Sequence, residues 1–176
     1  KLAAISLSDE ITEISTGLFK ECSSLEKVTL SEKTTKIGSY AFSRCTALVA
    51  IELPNSITEI GTCAFSMCSK LTSIVVPNKV TEIAEEVFSD CVALNSIVLP
   101  DGLTGIGNYA FSNCNGLISV TIGNGVTSIG HDAFCECVGL TNITIPDSVS
   151  SLGDYAFYGC SGLTSVIIGN GVTAIG

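Results

Sequence analysis

The chain repeats one pattern of residues every 23 positions, and this constrains its fold more than any other feature. Every phenylalanine keeps this step, from Phe19 to Phe157, and a cysteine follows each one by three positions. A fixed period of this length is typical of a solenoid, in which one supersecondary unit stacks on copies of itself. We therefore expect one array over residues 1–176, with repeats that begin at Leu2, Leu25, Leu48, Leu71, Leu94, Leu117 and Leu140 and a partial repeat at Leu163.

The repeat at residues 94–116 shows which local structures each copy is expected to form. Alternating apolar residues at 94–99 predict a short strand, which the turn residues Pro-Asp-Gly at 100–102 end. A second short extended segment follows at 103–106. It ends at Gly107, and the recurrence of glycine in this slot indicates a backbone turn that a side chain would obstruct.

The second half of the repeat predicts about one helical or 3₁₀ turn, with Ala, Phe and Cys facing inward. The slot before it is interpreted as a helix cap, because side-chain oxygens recur there: Thr16, Ser39, Thr62, Asn108 and Asp154. Stacked copies would bury a continuous apolar face, with strands about 4.8 Å apart in one parallel β-sheet.

The consensus LxxIxLPxxVTxIGxxAFxxCxx resembles the BspA-like leucine-rich repeat, the treponemal subtype of the leucine-rich repeat family, over essentially the whole chain. The resemblance implies an α/β repeat solenoid, a right-handed superhelix with one parallel β-sheet and short turn or 3₁₀ segments opposite. Local departures, among them Ala84 in the turn-glycine slot and Thr34 in a Val/Ile slot, cluster in the N-terminal half. We expect looser coils there.

Nine cysteines leave three interpretations open: a disulfide ladder, a metal site, or buried structural thiols. Equivalent side chains in a stack point the same way and the ladder has an odd number of members, which disfavours disulfides. The nearest approach to a metal motif is His131, Cys135 and Cys137, one ligand short of a zinc site. We therefore expect the periodic cysteines to be small buried residues, and Cys63 and Cys135, outside the ladder, to be the reactive thiols.

No constellation of residues predicts catalysis, a cofactor or a metal, so we do not expect an enzyme. The one histidine, His131, has no fixed nucleophile as a partner. The net charge of −9 lies entirely in residues 80–176, which contain nine acids and no Lys or Arg. Without a basic stripe, we do not expect a nucleic-acid ligand. The acidic half is interpreted as an aid to solubility, or as a surface that docks a basic partner or loosely binds cations.

The strand surface is the main candidate binding face, because the third and fifth residues of LxxIxL point away from the core. Both columns are small, rich in Ser and Thr, and almost uncharged. The candidate residues are Ser73, Val75, Ser96, Val98, Ser119, Thr121, Asn142 and Thr144. Good exposed strand residues would give the same pattern without any ligand. A weaker second candidate is the exposed tyrosines Tyr40, Tyr109, Tyr155 and Tyr158.

The family resemblance implies a non-catalytic, cell-surface or secreted module that adheres to host or extracellular-matrix proteins such as fibronectin and fibrinogen. The alternatives are a rigid structural spacer or an intracellular scaffold with no ligand on the repeats. No apolar run is long enough for a membrane span. The array starts and stops without visible caps, so we expect a piece of a longer chain that is able to associate end to end.

Overall fold

A computed structural model describes residues 1–175 and shows a parallel β-solenoid of about seven turns. Each 23-residue repeat forms one coil, so coil 1 begins at Leu2 and coil 8, the partial one, at Leu163. The last residue of the predicted array, Gly176, lies outside the described residues.

The strands are short because each coil must turn several times within one repeat. They are β1 (Ala4–Ser6), β2 (Glu13–Ile14), β3 (Lys27–Thr29), β4 (Lys36–Ile37), β5 (Glu59–Ile60), β6 (Glu82–Ile83), β7 (Ser96–Val98), β8 (Gly105–Ile106), β9 (Ser119–Thr121), β10 (Ser128–Ile129), β11 (Asn142–Ile145), β12 (Ser151–Leu152) and β13 (Ser165–Ile168).

These strands form two parallel ladders along the solenoid, and the prediction of one sheet was therefore incomplete. We call the first the front ladder; it comprises β1–β3, the bridge between Ala50 and Ser73, and β7–β9–β11–β13. The side ladder comprises β2–β4–β5 and β6–β8–β10–β12. Every pairing joins residues 23 apart, such as Ile97 with Val120, so the register follows directly from the repeat.

Both ladders are interrupted only in the first half of the described residues. The front ladder lacks pairing between coils 2 and 3 and between coils 4 and 5, and the side ladder between coils 3 and 4. From β7 onward the front strands pair coil by coil and lengthen to four residues in β11 and β13. This agrees with the expectation of less regular coils toward the N-terminus.

The core is a continuous apolar column in which equivalent residues stack. Successive phenylalanine rings from Phe19 to Phe157 lie 5.1–5.8 Å apart and nearly parallel. The repeat leucines from Leu25 to Leu140 are completely buried. Because each coil buries its apolar face only against its neighbours, stability depends on the stacking of consecutive coils.

The segments that carry Ala, Phe and Cys are turns, which was one of the two expected forms. The helical or 3₁₀ form is not confirmed, since residues 1–175 form no helix, and the α/β description therefore does not fit. In coil 2, the amides of Tyr40, Phe42 and Arg44 donate to carbonyls of coil 3 at 2.8–2.9 Å, while the amides between them donate three residues back. Alternate amides are thus held by the next coil and cannot close helical rings. Tyr40 and Arg44 also have left-handed backbones, with φ of 58° and 61°, which a right-handed helix excludes.

The helix-cap interpretation was wrong for the same reason. The Oδ1 atom of Asn108 accepts from the amide of His131, one coil later, at 2.9 Å. The Asn108 side chain therefore satisfies a neighbouring coil rather than its own segment. The handedness of the superhelix stays a prediction.

Candidate binding surface

The eight predicted strand-face residues all lie exposed on the solvent side of the front ladder and its flanks. Ser96 pairs with Ser119, which pairs with Asn142, and Val98 pairs with Thr121, so the two columns run side by side. The residues between them, such as Ile97 and Val120, point into the core. The structure thus brings the candidates together as one face.

Two valines give this face an apolar centre. Val75 is 79% exposed and Val98 is 66% exposed, in consecutive coils. Ile167 continues the same column at coil 8 and is also exposed. Exposed aliphatic side chains on an otherwise Ser/Thr surface are the groups that contribute most to the binding free energy when a partner covers them.

A groove of about 930 Å³ follows the front ladder over coils 6 to 8 and contains four of the predicted residues. They are Ser119, Thr121, Asn142 and Thr144. The turns at its edge were not predicted as part of a site. There, the carboxylate of Asp147 accepts from the amide of Asn170 at 2.7 Å and so orders the rim.

A second groove, of about 670 Å³, lies between the strands of coils 2 and 3. It is found where the front ladder is interrupted, so apolar residues such as Leu30 and Leu53 line it together with Glu26, Lys27 and Glu52. Sequence reasoning missed this groove, because a gap in pairing between two coils leaves no mark within either repeat.

The periodic cysteines are free, and those from Cys45 to Cys160 are buried and hydrogen-bonded, as the structural interpretation predicts; Cys22 is half-buried. From coil 2 to coil 7, each thiol donates to the carbonyl of the phenylalanine one coil earlier, at 3.0–3.2 Å. Burial raises the pKa of these thiols, to about 12 at Cys45 and Cys114. At neutral pH they are therefore protonated donors and poor nucleophiles.

The prediction that Cys63 faces solvent was wrong, because this residue is only 5% exposed. Its thiol donates to the carboxylate of Glu86 at 3.6 Å, and Tyr40 lies on its other side. Burial, followed by the charge of Glu86, raises the pKa of Cys63 to about 11. Cys135 is half-buried, and burial together with Asp132 raises its pKa to about 11 as well.

The three residues of the incomplete metal motif are not brought together. The Nε2 atom of His131 lies 2.6 Å from the Asp132 carboxylate, whereas the thiol of Cys137 points into the core toward Phe111. Within residues 1–175 there is no group of three or more His, Cys, Asp or Glu side chains that could hold a metal ion. The same residues contain no helix that is long and apolar enough to cross a membrane.

The family model of the BspA type leucine rich repeat region matches the chain with six copies, over residues 1–118 and 81–176. The chain belongs to the BspA-type leucine-rich repeat family. No curated protein matches this BspA-type chain significantly.

Solved structures of bacterial leucine-rich repeat proteins are similar to this BspA-type chain. A leucine rich cell surface protein from Faecalibacterium prausnitzii is 31% identical over 97% of the chain, with a TM-score of 0.90. The leucine rich repeat protein of T. pallidum is 34% identical over 92% of the chain and 78% of its own length, with a TM-score of 0.84. A protein from Eubacterium ventriosum is 25% identical, covers 90% of the chain and gives a TM-score of 0.81.

The BspA-type chain spans only part of some of these neighbours. It covers 48% of the Faecalibacterium protein and 43% of the Eubacterium protein. The similarity shows the repeat fold and the family.

Proposed function

We propose that this chain is a non-catalytic protein-binding module of a cell-surface or secreted protein, and that it adheres to a host or extracellular-matrix protein through the strand face. The observation that carries the proposal is the pair of exposed valines, Val75 and Val98, on a Ser/Thr strand face that has no charged residue in either column between residues 73 and 167. The family, whose repeats are commonly binding surfaces, supports the same conclusion.

The strand face suits a protein partner for physical reasons. Its residues are short and are held by ladder pairing, so little conformational entropy is lost when a partner covers them. Hydroxyl groups of Ser and Thr supply hydrogen bonds at the rim, and the valines supply apolar area at the centre. Between residues 73 and 167 neither column contains a charged residue, so no buried charge needs a partner.

A surface location is supported by one of the structural neighbours. The Faecalibacterium protein is described as a leucine rich cell surface protein. Adhesion to matrix proteins rests on the family resemblance, and fibronectin and fibrinogen are the ligands to test first.

The test is binding of the purified chain to immobilised fibronectin and fibrinogen, at low and moderate salt, beside an unrelated leucine-rich repeat protein. We expect saturable binding that survives moderate salt. Val75→Lys and Val98→Lys are each expected to weaken it about fivefold or more, because they place a charge in the apolar centre.

Val92→Lys is the matched control. Val92 is exposed but lies outside the front ladder, and the substitution changes the net charge by the same amount. Binding that disappears with salt, or that Val92→Lys weakens as much as Val75→Lys, would contradict a site on the strand face.

A further inference from the structure

Four aromatic rings form a continuous row on the turn side of coils 5 to 7, away from the strand face. We call Tyr109, His131, Tyr155 and Tyr158 the aromatic row. The ring of His131 meets Tyr109 at 5.5 Å and Tyr155 at 5.6 Å, both edge to face, and Tyr155 meets Tyr158 at 6.0 Å. Tyr155 is 56% exposed and Tyr158 is 61% exposed, so the two rings at the end of the row are open to a partner.

Carboxylates surround this row. Asp132 lies in the same column, between Tyr109 and Tyr155, and contacts the Nε2 atom of His131. The carboxylate of Glu136 lies over Gly159, the residue next to Tyr158. The backbone carbonyl of Asp154 accepts from the amide of Asp132 at 3.1 Å, which places a third acid at the same edge. Residues 80–176 contain no Lys or Arg that could neutralise them.

In the first half of the chain, a tyrosine at the same repeat position packs against a lysine. The Nζ atom of Lys20 in coil 1 lies 5.1 Å from the ring centroid of Tyr40 in coil 2. Tyr40 occupies the same repeat position as Tyr109 and Tyr155, and Lys20 the same position as Tyr158. In coil 7 that position holds a second ring instead of a lysine, so the row has aromatic faces and carboxylates but no Lys or Arg side chain.

We propose that the aromatic row and its carboxylates bind an arginine- or lysine-rich segment of a partner protein. A guanidinium or ammonium group over an exposed tyrosine face gains cation–π attraction, and the acids nearby add Coulomb attraction. Alternate side chains of an extended segment are about 6.8 Å apart, close to the separation of the Tyr155 and Tyr158 rings. This site is independent of the strand face, and its failure would leave the proposed function intact.

The probe is a short fluorescent peptide in which arginine alternates with glycine, titrated with the purified chain at physiological ionic strength. A control peptide carries citrulline in place of arginine; citrulline has the same shape as arginine but no charge. We expect the arginine peptide to bind and the citrulline peptide not to bind. The double variant Tyr155→Leu/Tyr158→Leu is expected to weaken it about fivefold to thirtyfold, and Tyr155→Phe/Tyr158→Phe to retain most of it.

All of these variants keep the net charge, so the general attraction of an acidic chain for a basic peptide is equal in each. Tyr40→Leu is the matched control, because that ring is already covered by Lys20, and it should leave binding unchanged. Wild-type affinity in the Tyr155→Leu/Tyr158→Leu variant, equal binding of the citrulline peptide, or no binding at all would overturn the proposal. The thermal unfolding midpoint of each variant identifies any loss of peptide binding that comes from misfolding. Where the double variant misfolds, Glu136→Gln provides a milder disruption of the same site.

Discussion

The thiol of Cys91 donates a hydrogen bond to the backbone carbonyl of Phe65, 3.2 Å away and one coil earlier in the stack. The same carbonyl accepts the amide of Cys68 in its own coil at 3.1 Å. One oxygen atom therefore closes the turn of coil 3 and ties that coil to coil 4. Because this arrangement recurs down the core, the cysteine ladder joins the coils at a place that water does not reach.

Cys91→Ala is expected to lower the free energy of unfolding by about 1–2 kcal/mol, since it removes a buried sulfur atom and leaves the Phe65 carbonyl with one donor fewer. Equilibrium urea unfolding followed by circular dichroism measures the change. Cys135→Ala is the control: its thiol is half-buried and belongs to no ladder, so the expected change is within about 0.5 kcal/mol. Equal effects of the two substitutions would contradict a structural role for the ladder.

The alkylation of Cys135 should depend on pH over an unusually high range. The thiolate is the reactive form, and burial together with Asp132 raises the pKa of this thiol to about 11. The thiolate fraction, and with it the rate of reaction with iodoacetamide, should rise about tenfold per pH unit from pH 8 to pH 10. Peptide mass spectrometry of briefly treated native protein measures the rate at this residue.

A small unfolded cysteine peptide, alkylated in parallel, supplies the reference, since its rate should level off above about pH 9. A plateau at the same pH for Cys135 would show that its surroundings do not raise the pKa.

The repeat made much of this architecture predictable, because a period of 23 fixes which side chains coincide when coils stack. The stacking of equivalent residues into columns, from Phe19 to Phe157 and from Cys45 to Cys160, follows from that period, as does the alignment of Val75 with Val98. Alternation within the strand then decides which side faces the core.

The sequence did not reveal which carbonyl accepts the hydrogen bond of each backbone amide. The run Tyr109-Ala110-Phe111 has the composition of a helical turn, yet the amides of Tyr109 and Phe111 donate to coil 6. The prediction for Cys63 failed for a related reason: the other residues of its column are exposed or half-buried, but Tyr40 and Glu86 from the adjacent coils enclose this smaller side chain. Both outcomes depend on contacts between coils, which a pattern within one repeat does not contain.

Two glycines of coil 5 should respond in opposite ways to the same substitution. A Cβ atom at Gly107 would lie 2.8 Å from the backbone of Ala84 and Glu85, which cannot move aside, whereas one at Gly105 would meet the Ser128 hydroxyl at an ordinary 3.5 Å. Gly107→Ala is expected to cost about 1–3 kcal/mol of stability. Gly105→Ala should leave stability unchanged or raise it by up to about 1 kcal/mol, because alanine has less freedom in the unfolded chain. The midpoints of urea unfolding compare the stabilities of the two variants. A similar loss of stability at both positions would show that the close approach of the backbone at Gly107 does not determine the effect.

The turn-glycine slot also explains where the side ladder is interrupted. In five coils, the glycine amide donates at 2.8 Å to an isoleucine carbonyl one coil earlier, as Gly61 does to Ile37 and Gly107 to Ile83. Coil 4 carries Ala84 in this slot, and within residues 1–175 its amide makes no such bond to Ile60. A Cβ atom at the equivalent Gly61 or Gly107 would lie 2.6–2.8 Å from the backbone of the preceding coil. We therefore infer that the methyl group of Ala84 keeps coils 3 and 4 apart along this ladder.

Ala84→Gly is therefore expected to let β5 and β6 pair and to give residue 84 a protected amide. A hydrogen bond worth about 1 kcal/mol corresponds to about fivefold slower hydrogen exchange at that amide. Exchange followed by mass spectrometry or by NMR measures it, and the amides of Gly61 and Gly107, which are already bonded, serve as references within the same molecule. Their exchange should change little, because the added bond acts locally. If residue 84 exchanges as fast with glycine as with alanine, the methyl group is not what separates the two coils.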